Sequence, residues 1–152
     1  MSKWEVLEQM FIGRDSRTLD EKGRLTIPVR HRPDLALGMV VTRGLDGGLF
    51  VFPMSEWERL AEKINALLIT NHAARAFSRF LLGDAADCRL DAQGRVLIPR
   101  FLLDIAGIDG EVAVIGQGGR LELWAAVRLA EVQSDFENNG DGVASRFADL
   151  GI

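Results

Sequence analysis

The chain has 152 residues, 47% hydrophobic and 26% charged, enough for the core of one ordinary domain and too apolar for a disordered chain. No apolar run approaches the roughly 20 residues that span a bilayer. Residues 1–10 lack the apolar stretch of a signal peptide, and the single cysteine, Cys88, excludes an internal disulfide, so the expected compartment is the reducing cytoplasm. The net charge of −4 argues mildly against nucleic acid, but it is uneven: residues 1–80 carry +2 and residues 81–152 carry −6.

Arg14, Arg17, Lys22, Arg24, Arg30 and Arg32 crowd one stretch against Asp15, Asp20 and Glu21. Such a local basic surface can hold phosphate inside an acidic protein, because salt screens charges beyond about 8 Å; the plainer reading is a solvated face.

A duplication organises the chain. Thr18 to Pro28 reads TLDEKGRLTIP and Arg89 to Pro99 reads RLDAQGRVLIP, identical at six of eleven positions with an offset of 71 residues. The expected division is an extension over residues 1–9, a first unit with linker helices over 10–83, a second unit over 84–130, and a loose polar tail over 131–152. The pattern is α+β and β-rich.

In chain order, the first unit opens with an apolar strand, a turn at Asp20-Glu-Lys-Gly-Arg24 and a strand returning to Ile27-Pro28, read together as a hairpin. Gly23 suits a positive φ, and Asp20 can accept from turn N–H groups. Alternation puts Leu25 and Ile27 on one face and Arg24 and Thr26 on the other. Pro28 suits the start of a helix, which Pro33 should leave short or distorted. A second hairpin follows, Met39–Thr42 and Leu49–Phe52 around a glycine loop. Ser55 with Glu58 predicts a capped helix carrying Trp57, Leu60, Ile64, Leu67 and Leu68. Thr70 or Asn71 starts another through Leu82, closed by Gly83, with Arg75 and Arg79 as a solvated or subunit-facing edge. The second unit repeats the scheme: a turn at Asp91-Ala-Gln-Gly-Arg95, a helix over 100–106 capped by Gly107, and a hairpin of 111–115 with 120–124. The polar Asn138-Asn-Gly-Asp-Gly142 marks the tail.

Catalytic and metal-binding constellations are missing from the sequence. There is no His-x-x-x-His, Cys-x-x-Cys or Gly-x-Ser-x-Gly, and the glycines near 44–48 and 116–119 lack nucleotide-loop spacing. Cys88 reads as a small buried hydrophobe, and His31, between two arginines, as an exposed polar residue. No cofactor, metal or small-molecule substrate is expected. Two readings of the repeated Asp and Arg remain even on physical grounds. One is a local turn salt bridge; the other is an arginine presented to phosphate or to guanine edges.

The duplicated motifs Asp20-Glu-Lys-Gly-Arg24 and Asp91-Ala-Gln-Gly-Arg95 resemble those of the MraZ family, bacterial regulators related to AbrB-type swapped-hairpin proteins. Phe11-Ile-Gly13, Phe52-Pro-Met-Ser-Glu-Trp57, Arg79-Phe-Leu-Leu-Gly83 and Leu121-Glu-Leu-Trp124 fit as well, so the likeness covers about residues 10–128. The resemblance implies two AbrB-like units forming one intertwined, double-split β-barrel with peripheral helices. It implies a nucleoid-associated, ring-shaped homo-oligomer that binds direct DNA repeats upstream of the division and cell-wall gene cluster and represses its own operon. It carries Arg24 and Arg95 over as DNA-facing residues, with Lys22 beside them, and Asp20, Asp91, Gly23 and Gly94 as motif partners. Gln93 stands where the first turn has Lys22, so the second turn is expected to contribute less. Met10 is a candidate initiator, with residues 1–9 an extension before the usual family start. An AbrB-fold antitoxin and a metabolic enzyme are the readings from other classes.

Overall fold

The computed structural model describes residues 10–138 and 142–152; the expected extension over 1–9 and residues 139–141 of the Asn/Gly stretch lie outside the described residues. Among the described residues, eight strands and six α-helices follow in order: β1 Arg14–Thr18, β2 Arg24–Thr26, a 3-10 turn Val29–His31, α1 Arg32–Leu35, β3 Met39–Arg43, β4 Leu49–Pro53, α2 Met54–Asn65, α3 His72–Gly83, β5 Ala86–Cys88, β6 Arg95–Leu97, α4 Arg100–Ala106, β7 Glu111–Gly116, β8 Leu121–Ala125, α5 Ala126–Glu137 and α6 Gly142–Asp149. The chain is α+β and rich in antiparallel sheet.

The hairpins β3–β4 and β7–β8 form between neighbours in sequence. The strands flanking the two Asp turns do not pair with each other, contrary to the sequence reading. Instead β1 pairs with β7 and β5 with β3, while β2 pairs with its own duplicate, β6. In this arrangement Leu25, Ile27, Val96 and Ile98 all enter one core. A local hairpin would let each unit bury only its own pair. The strand expected to be apolar before the first turn is also polar: β1 reads RDSRT, with its side chains exposed or half-buried, as an antiparallel sheet with a solvated side allows.

The large sheet has the order β1-β7-β8-β4-β3-β5, and β2–β6 is a separate ribbon. The ladder is open, with β1 and β5 as its edges, so the expected barrel is not closed. Both edge strands run through an Asp turn into the ribbon.

Alternation decides the layers. Met39, Val41, Leu49, Val51, Val112, Val114, Leu121 and Leu123 point inward to the ribbon and to Leu102, Leu103 and Ala106 of α4. Phe50 and Phe52 point outward beneath Ile64 and Leu81 of α2 and α3, and Ala113 and Trp124 beneath Leu129 of α5. Thr42, fully buried on the outer face, donates to the Leu81 carbonyl at 2.7 Å, so its hydroxyl is satisfied.

Helix ends follow their local chemistry with one exception. Asn71 caps α3, its side chain accepting from the Ala74 N–H at 3.0 Å, and Gly107 ends α4 in the left-handed conformation. After Pro28 the chain makes only a 3-10 turn and a four-residue helix, as Pro33 leads one to expect. The exception is Ser55. Proline 53 occupies the N-cap of α2 with no side-chain cap, and Ser55 already lies inside the first turn. Residues 131–152, expected as a loose tail, carry the second half of α5 and all of α6 among the described residues.

Candidate nucleic-acid interface

Both Asp turns are built alike. The Asp20 N–H donates to the Arg24 carbonyl at 3.0 Å and the Gly23 N–H to the Asp20 carbonyl at 3.1 Å; the Asp91 turn repeats these bonds at 2.8 and 3.0 Å. One carboxylate oxygen of Asp20 accepts from the N–H groups of Lys22 and Arg24 at 2.9 and 2.8 Å. Its other oxygen takes Arg24 Nε at 2.6 Å. Asp91 does the same with Gln93, Arg95 and Arg95 Nε, at 2.9, 2.9 and 2.8 Å. These bonds favour the charged carboxylate, the backbone N–H of Arg24 or Arg95 foremost, so both acids stay below the usual carboxylate range. Gly23 and Gly94 have φ of 84° and 75°, the left-handed region that glycine enters without strain.

The ribbon brings the two motifs together. Register sets Arg24 opposite Leu97, Leu25 opposite Val96 and Thr26 opposite Arg95. Leu25 and Val96 face the core, so Arg24, Thr26, Arg95 and Leu97 share the outer face. The arginines are diagonal neighbours, and such positions lie about 7–8 Å apart. Arg95 reaches across to Asp20, Nη1 to carboxylate 3.8 Å, so it stands between two acids while Arg24 is bonded to Asp20 alone. In each arginine the Asp of its own turn holds Nε; the terminal N–H groups of Arg24 are left to other partners, while Nη1 of Arg95 is turned to Asp20. Lys22 is exposed at the tip of the first turn, where Gln93 occupies the second.

The turns also meet the other unit. A side chain at Gly23 would press on Leu103, and one at Gly94 would collide with the Arg32 guanidinium. Leu103 and Arg32 are equivalent under the 71-residue offset, so each turn leans on the same position of its partner unit. Arg32 donates from Nε to the Ile27 carbonyl at 2.9 Å and shares a groove with Asp91 and Gly94. Arg100 lines the matching groove beside Asp20, Glu21 and Gly23. Sequence reasoning singled out neither as a site residue. The sequence holds no local signal for them: the 71-residue offset equates Arg32 with Leu103 and Arg100 with Val29, and the meeting of each turn with the opposite unit is tertiary.

Cys88 is buried, and burial pushes its thiol up to about 11, as a structural cysteine requires. His31, expected to be exposed, is buried edge-on against Phe11 with ring centroids 5.3 Å apart. Burial, then the charge of Arg30, lowers its pKa against the opposing pull of Asp15 and Asp34. Among the described residues no group of three or more His, Cys, Asp or Glu is placed to hold a metal ion. Among them, too, no helix is long and apolar enough to cross a membrane.

Comparison with known proteins agrees with the duplication. A family model described as "MraZ protein, putative antitoxin-like" matches twice, over residues 10–80 and 81–148. A protein named transcriptional regulator MraZ from Alkaliphilus metalliredigens is 42% identical over 143 residues, covering 94% of this chain and all of the relative. One of the same name from Carboxydothermus hydrogenoformans is 50% identical over 116 residues, 76% of this chain and 81% of the relative. Another, from Natranaerobius thermophilus, is 41% identical over 143 residues. With both repeats matched and relatives of this identity covering nearly its whole length, the chain belongs to the MraZ family.

Proposed function

We propose that this chain is a sequence-specific transcription regulator that binds double-stranded DNA through the outer face of the β2–β6 ribbon. The observation that carries the reading is the register of that ribbon, which sets both repeated arginines on the one face turned away from the core. A two-stranded ribbon fits the major groove of B-DNA, and an arginine pairs bidentately with guanine O6 and N7. Asp20 and Asp91 hold each Nε, so the guanidinium is ordered before it meets a base and less entropy is lost on binding. Lys22 adds a phosphate contact at the first turn, and Gly23 and Gly94 give the turns their shape. Arg24 carries more of the binding than Arg95, whose charge is shared between two carboxylates and whose own turn has no lysine.

The rest of the reading follows from the family. The site consists of direct repeats upstream of the division and cell-wall gene cluster, and the protein represses its own operon from the nucleoid. Several chains in a ring bind several repeats together, which raises the effective concentration of each further contact. The exchange of strands between units supports membership in the swapped-hairpin class. It is a binding protein and not an enzyme.

Gel shifts on the protein's own promoter, with one to four repeats, test this. Arg24→Ala with Arg95→Ala is expected to abolish specific binding with unchanged circular dichroism, each arginine supplying about 1–3 kcal/mol of base discrimination. Arg24→Ala alone is expected to cost more than Arg95→Ala alone. Equal affinity for one repeat and four, or negligible loss in the double variant, would refute the reading. The family description favours one alternative, a DNA-binding antitoxin. On that reading α6, with Val143 and Phe147 exposed, would hold the toxin, and a toxin gene beside this one would favour it.

A further inference from the structure

The outer face of the ribbon carries one residue that neither charge nor turn geometry explains. Leu97 is 57% exposed, while Leu25, Ile27, Val96 and Ile98 of the same ribbon are at most 2% exposed. A single exposed leucine is ordinary on a protein surface. This one lies directly opposite Arg24 in the ladder and shares its face. Its equivalent under the duplication is Thr26, which lies opposite Arg95 and is half-buried. The face therefore has two corners of the same plan, an arginine beside a leucine and an arginine beside a threonine.

Resting on the DNA-binding reading above, we propose that Leu97 is a specificity-determining residue that reads the 5-methyl group of a thymine in the major groove. The chemistry fits the neighbourhood. Where Arg24 engages a guanine edge, the side chain across the ladder faces an adjacent base pair, and the thymine methyl is the one apolar group on the major-groove edge. Leu97 offers that methyl an aliphatic surface that is more than half exposed. Thr26 offers a smaller methyl and a hydroxyl, so the second corner discriminates less. The difference between the corners gives a nearly two-fold-symmetric face a direction, and the bound site is unequal in its halves.

The test removes the methyl from the DNA. Duplexes enriched by the wild-type protein from a randomised library are remade with 2′-deoxyuridine in place of each thymine in turn. At one thymine or more the wild type should bind the uracil duplex about fourfold less tightly, the worth of one buried methyl. Leu97→Ala should bind the thymine duplex about fourfold less tightly than wild type and no longer distinguish the two bases. The proposal is overturned if the wild type is indifferent to uracil at every position, or if Leu97→Ala keeps the discrimination. It is also overturned if Leu97→Ala shifts the assembly size in light scattering with discrimination intact, since Leu97 is then a subunit contact. If Arg24→Ala abolishes binding while Leu97→Ala discriminates normally, the DNA reading stands and this one falls. If the wild type enriches no duplex, both fall.

Discussion

His31 shows how a single residue escapes a local reading. Flanked by Arg30 and Arg32, it reads as solvated, yet the 3-10 turn after Pro28 has three residues per turn and stacks Pro28 and His31 on one face. That face is buried, and Phe11 closes over the ring. The lowered pKa has a consequence for stability. Above the ordinary imidazole value of about 6.5 the ring is neutral in both folded and unfolded chains, and pH has no effect through it. Below that value the unfolded chain takes up a proton that the folded chain resists, so stability falls as pH falls. Urea midpoints should therefore drop between pH 6.5 and 5, and His31→Phe, which does not titrate, should flatten the slope; an unchanged slope in the variant would refute this. The carboxylates behave in a separate, more acidic window. Asp15, held down chiefly by Arg30, and Asp20 and Asp91, held down by turn N–H groups, contribute above about 3.8, and their share is lost below it.

At the scale of elements, helix ends separate a side chain that merely has the right type from one that does the capping. Ser55 and Asn71 both read as N-caps, but only Asn71 bonds a free N–H, because Pro53 starts α2 two residues before Ser55. Asn71→Ala should cost about 1 kcal/mol in urea unfolding, within the usual range for losing a cap, and Ser55→Ala should leave the midpoint unchanged. Equal losses at the two positions would contradict this assignment. Strands divide in the same way. β3, β4, β7 and β8 are legible from apolar runs bounded by glycine loops, and they pair locally. For β1 the place of a strand before the Asp20 turn is legible, but its polar character and its partner β7 are not.

For the whole molecule, the two repeats are not two domains. Leu25, Ile27, Met39 and Val41 of the first share one core with Val96, Ile98, Leu103 and Val112 of the second. Every strand of the first unit finds its whole ladder partner, or a second one, in the other half of the chain: β1 with β7, β2 with β6, β3 with β5 and β4 with β8. Residues 1–83 expressed alone would leave β1 and β2 without partners and one side of the core open. They should aggregate or dimerise, with one copy supplying the missing pairings of the other. A soluble monomer of 1–83 that melts cooperatively at low concentration would show instead that the halves fold independently.

What the sequence by itself determined is the duplication and a set of local features: the Asp-x-x-Gly-Arg turns with their positive-φ glycines, the two true hairpins, the break at Pro33, and the outward alternation of Arg24 and Arg95. Each follows from bonds or sterics within a few residues. The tertiary structure decided which strand pairs with which, that Arg24 and Arg95 share one ribbon, that His31 is buried, and that Arg32 and Arg100 stand beside the turns of the opposite units. The reason is the duplication itself. β2 and β6 have the same alternation and the same backbone donors and acceptors, so local pattern cannot choose between a neighbour and a duplicate 71 residues away. Only burial of both apolar pairs in one core makes that choice.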